Sequence, residues 1–127
     1  MKFVGNWEIP NGKDSAQFVS IKSLKGKKGL SIYSKWIAKG ELLFEGTGFW
    51  VYNAEMNKID ISTLLSTGYI FHDVGEFTSP ATMEFTDENK KAKTVTKFKL
   101  EFISPNEIEG TTIENNKTYT AIWKRVK

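Results

Sequence analysis

The side chains best suited to chemistry in this 127-residue chain are few and scattered. They are the single His72, its neighbour Asp73, the carboxylates Asp60 and Glu101, the hydroxyls of Tyr52 and Tyr119, and Arg125. A lone histidine can act as a general base, a haem ligand or a hydrogen-bonding group in a pocket, because its charge changes near neutral pH. It cannot build a His-rich metal centre. The absence of cysteine removes disulfides, thiolate metal sites and sulfur nucleophiles together. No metal site and no cofactor is therefore expected. Alternation puts Asp60 and Glu101 on outward faces, and no carboxylate pair or Ser/His/Asp set can be brought together from spacing alone. An enzyme with a hydrophobic pocket, such as an isomerase or hydrolase, is the least favoured reading.

The elements that must position these groups are strands. Apolar residues recur with period two almost everywhere, and the 3.6-residue stripe of an amphipathic helix is not evident. A first strand over residues 2–9 places Phe3, Trp7 and Ile9 on one side, and Pro10-Asn11-Gly12 ends it. Strands follow over 17–24 and 30–38, the second carrying Leu30, Ile32, Ser34, Trp36 and Ala38 on one face. The longest run, 42–52, is apolar on both sides. If residues 54–57 form a four-residue loop, Tyr52 faces Ile59 and Trp50 faces Ile61, which makes these four the inner set. Gly46 and Gly48 share that face, where they bend the strand or leave space. The next strand ends at Leu65.

The strand over 69–77 has two possible registers. A three-residue turn at 66–68 turns Tyr69, Phe71 and Asp73 inward, whereas a two-residue turn turns Ile70, His72 and Val74 inward. A short strand is expected over 81–86, then a charged loop over 87–93. Phe98, Leu100 and Phe102 alternate cleanly with Lys97, Lys99 and Glu101. Asn115-Asn116 suits a two-residue hairpin turn between a strand over 107–113 and the last strand. That register sets Ile108 against Trp123, Gly110 against Ala121, Thr112 against Tyr119 and, outside, Glu107 against Lys124.

About ten strands joined by short turns form an antiparallel meander, since parallel neighbours need long crossovers. Closing the sheet into a barrel removes two exposed edges, and a barrel of this size is wide enough to hold a cavity. The predicted fold is a single all-β domain spanning 1–127, an up-and-down barrel without a helical lid. Net charge is +3, and the basic clusters at 25–28 and 90–93 read as solvated hairpin loops, not a nucleic-acid footprint. No apolar run reaches membrane-spanning length, and no signal peptide precedes the first strand, so a cytoplasmic location is expected.

Gly5-x-Trp7 on the first strand and Arg125 on the last resemble the calycin superfamily of lipocalins and fatty-acid-binding proteins. The segment from Phe44 to Asn53, with Gly68 and Gly75 downstream, is similar to bacterial lipocalin-like families of unknown function. The resemblance implies that Trp7 plugs one barrel end and that Arg125 packs on its ring. It also offers Arg125 a second role, anchoring a ligand carboxylate as in fatty-acid-binding proteins; the structural cap is the preferred reading. The chain departs from those proteins in having no helix-turn-helix after the first strand, and from secreted lipocalins in lacking a disulfide. His72 lies too early to match the proximal histidine of the haem-binding nitrobindin branch.

The functional expectation is a non-catalytic protein that binds a small apolar or amphipathic molecule inside the barrel. Trp36, Trp50, Tyr52, His72, Phe98, Phe102 and Tyr119 are the candidate ligand contacts, with Trp7 and Arg125 as a structural latch. The alternative is a barrel with a filled interior that acts through its surface. Phe49 and Val51, apolar on the outer side, would then join two copies into a homodimer.

Overall fold

Large apolar side chains alternating with polar ones, punctuated by Pro, Gly and Asn, produce strands along the whole chain. The computed structural model describes residues 3–26, 28–89 and 93–126. Met1, Lys2, Lys127, and the expected loop residues Lys27 and 90–92 lie outside them. Ten strands follow in order: β1 (Gly5–Pro10), β2 (Ser15–Ser23), β3 (Gly29–Ala38), β4 (Glu41–Asn53), β5 (Lys58–Leu65), β6 (Ile70–Ser79), β7 (Thr82–Asn89), β8 (Thr94–Ser104), β9 (Glu107–Glu114) and β10 (Lys117–Val126). Each pairs antiparallel with the next, and β1 pairs with β10, so the sheet closes into an up-and-down barrel. Among the described residues no helix is long and apolar enough to cross a membrane.

The two registers expected from side-chain matching are observed. Tyr52 pairs with Ile59 and Trp50 with Ile61, while Ile108 pairs with Trp123 and Thr112 with Tyr119. Asn115 and Asn116 take φ of 50° and 64°, the backbone of a primed hairpin turn. The open choice at β6 resolves to the three-residue turn. The Leu65 amide donates to the Tyr69 carbonyl at 2.8 Å, and Ile61 stands opposite Asp73. Phe71 and Asp73 therefore point inward, and His72 points out.

One expected boundary is corrected. The charged stretch after Thr86 is not all loop: β7 continues to Asn89, and Asp87 pairs with Thr96. Acidic residues have poor strand propensity, but the β-branched Thr94, Val95 and Thr96 opposite supply a strong partner. The glycines of β4 are also explained by the structure. A Cβ on Gly48 would lie 2.2 Å from the Ser62 carbonyl oxygen, and one on Gly46 would lie 2.5 Å from Leu65 Cδ2. They let β5 approach closely; Gly110 likewise sits against Trp123 Nε1.

The densest packing fills one end of the barrel. Phe3, Trp7, Met83 and Ile108 are fully buried there, with Phe3 edge-on to Phe102 at 4.8 Å and Trp7 edge-on to Phe102 at 6.0 Å. Aromatic pairs in this geometry add to the stabilisation from burial. This plug closes one end and leaves space in the other half.

Candidate functional site

The unfilled half lies toward the β1–β2, β3–β4, β5–β6 and β9–β10 hairpins. It contains a cavity of about 420 Å³ lined by residues from most of the strands. Trp50 forms its floor, held edge-on by Phe3 of the plug at 5.4 Å. Two stacked pairs make the walls: Trp36 on Phe44 at 4.4 Å and Phe85 on Phe98 at 4.7 Å. Both pairs lie on neighbouring strands, where inward residues stand directly opposite one another: Trp36 with Phe44, and Phe85 with Phe98. The lining is mainly apolar with a few polar groups, the usual character of a small-molecule site.

Among those polar groups are two carboxyls. On β6 the inward alternation runs Phe71, Asp73, Gly75, and on β7 it runs Met83, Phe85, Asp87. Pairing of Val74 with Thr86 sets Asp73 beside Asp87, and both line the cavity. Asp73 is only 9% exposed, and its buried Oδ1 has no hydrogen-bond partner among the described residues. Burial, reinforced by hydrogen bonding and repulsion from the Asp87 carboxyl, raises its pKa to about 7. A carboxyl pair of this kind can share a proton, receive a cationic group, or pass a proton to a bound molecule. Among the described residues no three His, Asp or Glu side chains gather as metal ligands.

Three of the expected ligand contacts, Trp36, Trp50 and Phe98, meet at this cavity. The others are placed elsewhere. Phe102 belongs to the aromatic plug. Tyr52 keeps its inner register but lies at the plugged end, beside a depression of about 450 Å³, and its hydroxyl donates to Asn57 Oδ1 at 2.8 Å. Tyr119 also has the inner register, but it sits next to the last hairpin and is 56% exposed. His72 lies on the outer surface, with Nδ1 3.0 Å from Ser62 Oγ. The cavity has more claim to be a site than the larger depression, because it lies inside the barrel and contains the buried carboxyl.

Asp87 could not be found from spacing, because its charged surroundings read as a loop. Phe44, Phe71 and Phe85 were within reach of simple parity once their neighbours' faces were known. Arg125 is not among the residues that line the cavity. Its guanidinium Cζ sits 4.2 Å from the Trp7 ring centroid; Nη1 donates to the Val4 carbonyl, and Nε and Nη2 donate to the Pro105 carbonyl.

No protein-family signature and no curated protein sequence matches this chain. Its function has to be inferred from the fold and the cavity.

Proposed function

We propose that this barrel is a non-catalytic binding protein for a small apolar or amphipathic molecule held in the cavity. The observation that carries the reading is the 420 Å³ interior space walled by Trp36, Phe44, Phe85 and Phe98 and floored by Trp50. Affinity would come from removing the ligand's apolar surface from water, about 25 cal/mol per Å² buried, with the polar lining fixing its orientation. We also infer that the barrel is calycin-like. Gly5-x-Trp7 pairs with Arg125 across the closing strands, as the resemblance implies, and the strand order is that of an up-and-down barrel.

Titration with the neutral fluorophore N-phenyl-1-naphthylamine tests the binding reading. Saturable one-to-one enhancement, competed by apolar compounds, is the expected result. No enhancement, together with no small molecule in an organic extract of the purified protein, would remove the reading.

A second reading rests on the outer face of β4 to β6. Phe49, Val51, Leu64, Ile70 and Val74 are all exposed there, with Leu64 paired to Ile70. Self-association of two copies through this face would cover them. Sedimentation that shows a monomer at the highest attainable concentration would exclude it.

A further inference from the structure

The Asp73–Asp87 pair is a feature of the cavity that aromatic packing does not explain. A buried carboxyl with an oxygen unpartnered among the described residues, set beside a second carboxyl, lowers the stability of the barrel by itself. Apolar residues at both positions would fill the same strands at lower cost. The pair is therefore best understood through what it does when the cavity is occupied.

We infer that the ligand of this cavity is a cationic amphiphile, an apolar amine in its ammonium form. Its N–H groups bind Asp73 and Asp87, and its apolar body lies against the aromatic walls. The inference rests on the small-molecule reading above and adds the ligand's chemical class.

Three observations point the same way. First, an ammonium brings three donors and no acceptor, which suits two neighbouring carboxyls in the cavity lining, one with an oxygen unpartnered among the described residues. Second, none of the described residues lining the cavity is Lys, Arg or His. The guanidinium that could anchor a fatty acid, that of Arg125, is held at the plugged end by Trp7, Val4 and Pro105. A carboxylate-headed ligand would meet two acidic groups and no counter-charge among the described lining residues, so the site selects against it. Third, the stacked pairs Trp36–Phe44 and Phe85–Phe98 give the walls an apolar surface that suits the hydrocarbon body of an amphiphile once water is excluded.

Binding should also depend on pH. From β5 the groups facing Asp73 are Ile61 and Thr63, and from β7 they are Phe85 and Asp87; Gln17 and Ser34 lie among the cavity residues of β2 and β3. Asp87 is the other titratable group among these. A bound ammonium favours the fully ionised pair, so its affinity increases as pH rises through about 7.

The test compares decylammonium, decanol and decanoate, which share one chain and differ in head group. Titrations of the full chain follow calorimetry and tryptophan fluorescence, with Trp36, Trp50 and Trp123 as reporters. At about pH 8, decylammonium should bind at least about tenfold more tightly than decanol, and decanoate more weakly than both. Asp73→Asn and Asp87→Asn should each erase most of that preference while leaving decanol binding in place. A melting curve confirms that each variant is folded. Equal binding of amine and alcohol, or tightest binding of decanoate, overturns the ammonium inference and leaves the apolar-cavity reading standing. Failure of all three chains to bind overturns both.

Discussion

Trp7 and Arg125 stand directly opposite each other across the β1–β10 seam, with the guanidinium over the indole ring. Trp7 is fully buried, and its Nε1 donates to the Phe3 carbonyl at 2.8 Å. Arg125 reaches back to Val4, 121 residues earlier in the chain, and to Pro105 in the β8–β9 turn. Gly5 makes room for this contact, since a Cβ there would lie 2.4 Å from Nη1 at a φ of 140° that side chains rarely adopt. One charged side chain thus ties three separate parts of the chain at the point where the barrel closes.

Removing either partner should loosen that closure before it alters the cavity. Trp7→Ala is expected to cost about 3–5 kcal/mol through lost burial and the space left behind. Arg125→Ala should cost about 1–3 kcal/mol through the unpaired carbonyls and the lost ring contact. Denaturant unfolding measures both; unchanged stability in the two variants would contradict the closure role.

Asp73 should make stability depend on pH in a defined direction. An unperturbed aspartate has a pKa of 3.8, whereas that of Asp73 in the folded barrel is about 7, so between these values the folded state binds the extra proton. Stability from this group is therefore full below about pH 4, falls as pH rises, and is lost above about pH 7. Asp73→Asn should remove this component and stabilise the empty barrel at about pH 8, by roughly 2–4 kcal/mol. The check is the difference between parent and variant stability curves from about pH 4 to pH 8. A flat difference would show that the carboxyl is not penalised by folding.

Filling the cavity should weaken binding without unfolding the protein. Thr63 lines the cavity. Thr63→Phe should occupy that space and weaken N-phenyl-1-naphthylamine binding by about tenfold or more, with a melting temperature near the parent's. Undiminished binding by a folded variant would place the probe elsewhere.

The last hairpin depends on two residues that tolerate positive φ. Asn116 has a φ of 64°, where a β-branched side chain is strained. Asn116→Val should destabilise the barrel by about 1–2 kcal/mol, whereas Asn116→Gly should be nearly neutral. Comparing the two by thermal unfolding separates backbone strain from loss of the amide side chain.

Local rules made much of the architecture legible. Period-two alternation and the turn residues identified the strands, and matching of inner sets gave the β4–β5 and β9–β10 registers, because a slip of one residue would turn every side chain over. The seam between Trp7 and Arg125 was legible for the same reason, since closure brings the first and last strands together. Inward direction along β4, β8 and β10 was also readable, but depth along the barrel was not. Tyr52, Phe102 and Tyr119 have inner registers yet lie at the plugged end, in the plug and near the last hairpin, respectively. Alternation fixes which face a residue occupies; it carries no information on how far along the barrel a cavity begins.

The carboxyl pair was decided only by the tertiary structure. Asp73 was confined to two registers by sequence, and the three-residue turn at 66–68, with the β5–β6 pairing, sets the inward one. Asp87 was hidden because acidic residues predict a loop, while pairing with β8 makes them a strand. The sequence by itself thus determined a closed antiparallel barrel, through alternation and turn chemistry that act over a few residues. The position of its open space, and the two acidic groups facing into it, depend on side chains from strands far apart in the chain, which only packing brings together.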